Sequence, residues 1–254
     1  MILAIDIGNT NTVIGCCEDG KILFRETLST AQTATPLEYA ALIRTAFELN
    51  GSDHGKIDGG IISSEVPSLT LIVKEAVIRL TGVCPIVVGP GIKTGLSIMI
   101  DNPAQLGSGM VVNAAAGIKN YPLPLIIIDM GTATTLSVID GKGNHIGGMI
   151  VPGLKVSLDS LVAKASQLPR IALEPPKRII GRNTVECLKS GVLYGCAGMI
   201  DGLIDRINGE MNTVCTAVAT GDAAGAVVPL CRSNIIMDDD LPLKGLMIIY
   251  EKNL

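Results

Sequence analysis

An apolar strand that ends in Asp-x-Gly and a Thr-bearing turn occurs twice in this chain, about half its length apart. The first copy runs Ile2-Leu3-Ala4-Ile5 into Asp6-Ile7-Gly8-Asn9-Thr10-Asn11-Thr12, continues from Val13 to Cys17, turns at Glu18-Asp19-Gly20 and forms a third strand from Lys21 to Leu28. The second runs Leu125-Ile126-Ile127-Ile128 into Asp129-Met130-Gly131-Thr132-Ala133-Thr134-Thr135, continues to Ile139, turns at Asp140-Gly141-Lys142-Gly143 and resumes from His145 to Val151. Each half therefore opens on antiparallel strands, and a duplicated unit is the economical reading of the spacing. Apolar residues at helical spacing follow over 37–49, 69–80, 103–118, 154–168 and 183–207, with strands at 60–62, 85–88 and 216–219. The pattern predicts a two-lobed α/β protein with an N-terminal lobe over 1–119 and a C-terminal lobe over 120–254, one hairpin in each.

Such hairpins suit phosphate chemistry. A phosphate needs several N–H donors converging on it without side chains in the way. A Gly-containing turn supplies backbone amides, and Thr or Asn adds donors at the rim. An Asp just before the turn can hold Mg²⁺ through water, because magnesium favours carboxylates and substrate phosphates. A single Asp-x-Gly is weak evidence, since both residues populate ordinary turns; two copies, each after an apolar strand, are not. The stretch Gly89-Pro90-Gly91-Ile92-Lys93-Thr94-Gly95 is no rival. It lacks the G-x-G-x-x-G spacing of a dinucleotide loop and the Gly directly before Lys of a Walker loop.

Composition removes other classes. Of 254 residues 48% are hydrophobic but only 2% aromatic, so the core is aliphatic. A net charge of -4 argues against nucleic-acid binding, which needs clustered Lys and Arg. No apolar run is expected to reach the ~20 residues that cross a bilayer, and the start reads as a strand rather than a secretion signal. Seven Cys without a C-x-x-C pair read as small core residues in a reducing cytoplasm, including the adjacent Cys16 and Cys17. The two His, His54 and His145, fall in polar Gly-containing stretches that read as loops, so a His-dependent mechanism is not expected.

Seven segments, in order along the chain, resemble the type III pantothenate kinases. They are Asp6 to Val13, Ile61-Ile62-Ser63-Ser64-Glu65-Val66-Pro67, Pro90 to Leu96, Asp129 to Thr135, Gly147 to Gly153, Gly181-Arg182-Asn183-Thr184, and Leu243-Lys244-Gly245-Leu246. The resemblance implies a duplicated ribonuclease-H-like fold of the actin-like, acetate and sugar kinase type, with mixed sheets. It also implies a cytoplasmic homodimer that phosphorylates pantothenate with ATP, Mg²⁺ and a monovalent cation, K⁺ or NH₄⁺, as the first step toward coenzyme A. On that resemblance Asp6, Ile7, Gly8, Asn9, Thr10, Asn11, Thr12 and Val13 bind the ATP phosphates, with Asp6 orienting Mg²⁺ through water. Thr132 joins them and Asp129 holds the monovalent cation. Thr184 and Gly153 meet pantothenate, with the stretch Gly107 to Met110.

That last stretch departs from the family. Where the family has Gly-Ala-Asp-Arg, with Asp as general base and Arg on the substrate carboxylate, this chain has Gly107-Ser108-Gly109-Met110. Losing a positioned base typically costs ~10²–10⁴ in rate, and Met offers a carboxylate no charge-assisted hydrogen bond. The chain also has Ala31-Gln32-Thr33-Ala34 where basic residues are common, and Thr220-Gly221-Asp222 in place of Thr-Gly-Gly. Three readings stand side by side. One is a pantothenate kinase that uses another carboxylate, Asp101 being the nearest in sequence. Another is a pseudoenzyme that binds ATP or a ligand, or forms a heterodimer with an intact paralogue. The third is a kinase for a different, uncharged acceptor.

Overall fold

Strand β1 (Ile2–Ile7) sends Leu3, Ile5 and Ile7 to one face of a sheet and Ala4 to the other, as the two-residue period of a strand requires. The computed structural model describes residues 1–254. β2 (Asn11–Glu18) and β3 (Lys21–Ser29) run antiparallel beside β1, and β4 (Gly59–Ser64) and the short β5 (Ile86–Val87) run parallel on its other side, in the order β3-β2-β1-β4-β5. Helices α1 (Pro36–Leu49) and α2 (Pro67–Thr81) cover the Leu3 face through Tyr39, Ile43, Phe47, Leu69 and Val73. α1 starts on a capping box in which Thr35 and Glu38 exchange hydrogen bonds, and both helices carry Pro in the first turn, where its missing N–H costs nothing. A two-residue strand β6 (Ser97–Ile98) and a 3₁₀ turn over Pro103–Gln105 precede α3 (Ser108–Asn120).

The chain divides into two units between Lys119 and Asn120. In the second unit β7 (Leu125–Met130), β8 (Ala133–Ile139) and β9 (Asn144–Pro152) repeat the antiparallel opening. After α4 (Leu154–Lys164) and α5 (Thr184–Met211), β10 (Thr216–Thr220) joins β7 in parallel. A single-turn helix α6 (Ala224–Val227) leads to β11 (Ile235–Met237), which lies parallel to β10 at the sheet edge. The core of this unit packs Leu193, Ala197, Ile200 and Ile204 of α5 on Ile126, Ile128, Ala217 and Ala219.

The last helix, α7 (Leu241–Glu251), departs from the expected halves. Residues 240–254 belong with the first unit, so the second unit is 120–239. There Leu243, Leu246 and Ile249 of α7 join Val111, Val112 and Ala115 of α3 on the Ala4 and Ile61 face of the sheet, giving that sheet a helical layer on each side. The helices are close-set: the carbonyl and side chain of Val112 in α3 leave no room for a Cβ at Gly245 of α7.

Three local expectations change. His145 is not in a loop: it lies in β9, 1% exposed, with neither ring nitrogen hydrogen-bonded. Burial holds its pKa below the ordinary value of a histidine. Not every cysteine is a core residue: Cys16 and Cys17, on either side of a bulge in the β2–β3 register, are buried, which pushes their pKa values up to about 11 and about 12, but Cys84 and Cys187 are exposed. Finally, α5 is long and apolar enough to cross a bilayer by length and composition, contrary to the reading of the runs alone. Five of its apolar residues, from Leu193 to Ile207, are instead in the core of the second unit, and an isolated helix of this kind is weak evidence for a membrane span.

Candidate functional site

The first hairpin sits where β1 passes to β2. Gly8 N donates to Asn11 O at 2.9 Å, closing a tight turn, and a Cβ on Gly8 would stand 2.9 Å from that same oxygen. Thr30 braces it from β3's end: its Oγ1 donates to Gly8 O at 2.7 Å, its N donates to Thr10 O at 2.8 Å, and its hydroxyl shares a hydrogen bond with Thr12 Oγ1 at 2.9 Å. Asn9 and Thr10 are exposed at the tip, with Gly8 and Asn11 half-buried. The side chains of Ile7 and Thr12 are fully buried, so these two positions offer a ligand only their backbone. Val13 packs partly into the Ala4-face core.

Register carries this turn to the next strand. Asp6 pairs with Ser63 of the parallel β4, and Ile7 with Ser64. The ladder runs one residue further, because Glu65 N donates to Ile7 O at 2.8 Å. Ser63 Oγ donates to Ser108 Oγ at 3.1 Å, and Ser108 Oγ in turn donates to Ser64 O at 2.9 Å, which ties the start of α3 to the end of β4. Gly107, Ser108, Gly109 and Met110 are all half-buried in this first turn. A Cβ on Gly109 would lie 2.9 Å from Glu65 Oε1, and one on Gly107 would lie 3.4 Å from it. Glu65 lies within a segment that resembles the family, and its one local signal is that of an acidic residue directly after an apolar strand. Asp101, the nearest carboxylate in sequence, is exposed in the loop before the 3₁₀ turn.

In the second unit the hairpin closes through Gly131 N donating to Ala133 O at 3.1 Å, with Thr132 exposed at the tip. Gly153 N donates to Thr132 O at 3.1 Å, and the carbonyls of Gly131 and Thr132 crowd the space where a Gly153 side chain would go. The third turn touches the same place. Thr220 pairs with Asp129, and Gly221, at φ +94°, would have a Cβ 2.7 Å from Asp129 Oδ1. Only glycine adopts that backbone without strain and leaves the carboxylate its room. Asp222 is exposed beside it. Thr184, exposed, is the first residue of α5, whose N-terminus is capped by Asn183 Oδ1 accepting from Glu186 N at 2.9 Å. The backbone of the first α5 turn is packed directly against Gly181, which fixes that loop.

Paired strand–Asp–turn units, each followed by helices on a mixed sheet, define the actin-like and sugar-kinase-like ATPase fold. A solved structure with this architecture, the activator of the 2-hydroxyisocaproyl-CoA dehydratase from Clostridium difficile with bound ADPNP, matches at a TM-score of 0.58 with 15% identity, over 98% of this chain and 93% of that one. The sequence profile of the type III pantothenate kinases matches residues 2–206. A type III pantothenate kinase from Pelobacter propionicus is 40% identical over the whole of both chains, and one from Geotalea daltonii is 41% identical over 100% of this chain and 99% of the other. The chain belongs to the type III pantothenate kinase family.

Proposed function

We propose that this chain transfers the γ-phosphoryl group of ATP to the primary hydroxyl of pantothenate, giving 4'-phosphopantothenate and ADP. The observation that carries the reading is the pair of glycine-shaped turns beside Asp6 and Asp129, each with an exposed donor at its tip, in a chain of this family. Backbone N–H groups and the Asn9, Thr10 and Asn11 side chains of the first turn cradle phosphate oxygens, and in the second unit Thr132 is the hydroxyl that the family resemblance assigns to ATP. Asp6 is suited to Mg²⁺, which takes one or two carboxylates plus substrate phosphates. Asp129, at the end of β7 between the Gly131 and Gly221 turns, is the carboxylate that the family resemblance gives to a monovalent cation such as K⁺ or NH₄⁺. When bound, ATP and its metal supply the phosphoryl group and neutralise the charge that develops on it. The residues that the family resemblance assigns to pantothenate are the first turn of α3 in the first unit and, in the second unit, Gly153 and Thr184.

A homodimer and a cytoplasmic setting belong to the same reading. Gly191, Gly195 and Gly198 form one face of α5 with no other atom within 4 Å of where their side chains would be, which supports close approach by a second copy, and all seven thiols are free. Sedimentation of the purified chain measures the oligomer. The function is tested by incubating the chain with ATP, Mg²⁺, K⁺ and pantothenate and following phosphopantothenate by mass spectrometry. Product is expected, and Asp6→Asn is expected to reduce its rate by about 100-fold or more. A chain that binds ATP yet forms no product overturns the assignment.

A further inference from the structure

Transfer to a hydroxyl requires a group that takes up its proton, and neither Gly109 nor Met110 can. Three observations converge on Glu65. The first is strand parity. Asp6 and Ser63 are partners across the β1–β4 ladder, which the Glu65 N to Ile7 O bond extends past the strand. Two residues beyond Ser63, Glu65 therefore stands on the same face as Asp6, the face covered by α3. The second is reach. Glu65 Oε1 comes into the first turn of α3, 2.9 Å from where a Gly109 side chain would begin. The third is exclusion. A side chain on residue 109 would push the end of the Glu65 side chain out of its position, and two carboxylates so close resist joint ionisation. The glycine is thus what lets the glutamate in. The serine relay Ser63–Ser108–Ser64 O fixes the distance between the two segments, so the placement does not depend on a loose loop.

We infer that Glu65 is the proton acceptor of the reaction, and hence a catalytic residue of this chain. The inference rests on the phosphotransfer reading above. Its carboxylate takes the proton from the substrate hydroxyl as that oxygen bonds to the γ-phosphorus. The bond from the γ-phosphorus to the bridging oxygen breaks, ADP leaves with the electron pair, and Glu65 then returns its proton to water.

The experiment compares wild type, Glu65→Gln, Gly109→Asp and the double variant Glu65→Gln, Gly109→Asp, measuring kcat, KM for both substrates and the pH profile of kcat/KM. Glu65→Gln is expected to lower kcat by ~10²–10⁴-fold, leave KM for ATP within a few-fold and erase the acidic limb of the profile. Gly109→Asp alone is expected to impair the enzyme, and the double variant to regain at least ten-fold in kcat over Glu65→Gln, which a merely misfolded variant would not do. A Glu65→Gln enzyme with kcat within three-fold of wild type, or with the acidic limb intact, sinks the inference and leaves the kinase reading standing. A wild type that forms no product at all removes both.

Discussion

Thr134 stands in β8 with its hydroxyl oxygen sealed from solvent and without a hydrogen-bond partner, on the face that also carries Leu136 and Val138 into the core of the second unit. An unsatisfied buried hydroxyl costs about 1–3 kcal/mol, so this threonine is kept at the expense of stability. Thr134→Val places a methyl where the hydroxyl is and is expected to raise unfolding free energy by roughly 1 kcal/mol, read as an increase of a few degrees in Tm by calorimetry. A fall in Tm would show that the hydroxyl has a partner in solution. Glu65 and Gly109 make the complementary point. Side by side in space and 44 residues apart in sequence, they are a pair that no local pattern could reveal, because the contact is created by a strand register and a serine relay. Residue 109 by itself reads as a loss; beside Glu65 it reads as a clearing.

At the scale of elements, β9 carries the clearest pH response. Burial holds His145 below its ordinary pKa, so the unfolded chain binds a proton that the folded chain refuses. The contribution is therefore absent well above pH 6.5 and destabilises the fold as pH falls through the unfolded value of about 6.5. Urea unfolding at pH 7.5 and 5.5 is expected to show wild type losing about 1 kcal/mol more than His145→Leu over that interval; parallel losses would mean that the ring is protonated in the folded state. The strand itself was legible as a run from His145 to Val151, yet the flanking glycines made the histidine look like loop. The early strands and five long helices were legible because their apolar spacing is strong: α1 and α2 start within two residues of the expected positions. α7 was not. Its pattern of Leu241, Leu243, Leu246 and Ile249 follows three aspartates, and Pro242 reads locally as a breaker although it occupies the first turn, where proline is at home. The three-residue β11 is simply too short for a periodicity to register.

For the whole molecule, the decisive fact is that the first unit is discontinuous in sequence: 1–119 and 240–254 with 120–239 between them. The hairpin beside Asp6 therefore depends on residues from the far end of the chain, through Leu243 and Leu246, both fully buried on the sheet face opposite α1 and α2. Leu246→Ala is expected to cost about 2–5 kcal/mol and to lower the apparent affinity for ATP along with Tm. Nucleotide titration monitored by thermal shift checks it. An unchanged Tm would mean that α7 is an ornament rather than part of the core. The same discontinuity explains why the sequence halves misplace the tail: a duplicated hairpin marks where each unit begins, and nothing in it marks where a unit is completed.

The return of α7 has a consequence for the order in which the protein is made. The ribosome delivers β1 to α3 first, but the Ala4 and Ile61 face of their sheet has only half its cover until α7 emerges. The whole second unit is synthesised in between, on the order of ten seconds at 5–20 residues per second. During that wait the nascent first unit exposes an aliphatic face of the kind that chaperones bind, whereas the second unit, continuous in sequence, can close behind the ribosome as soon as it is out. The half of the molecule that is translated first is thus the last to be finished.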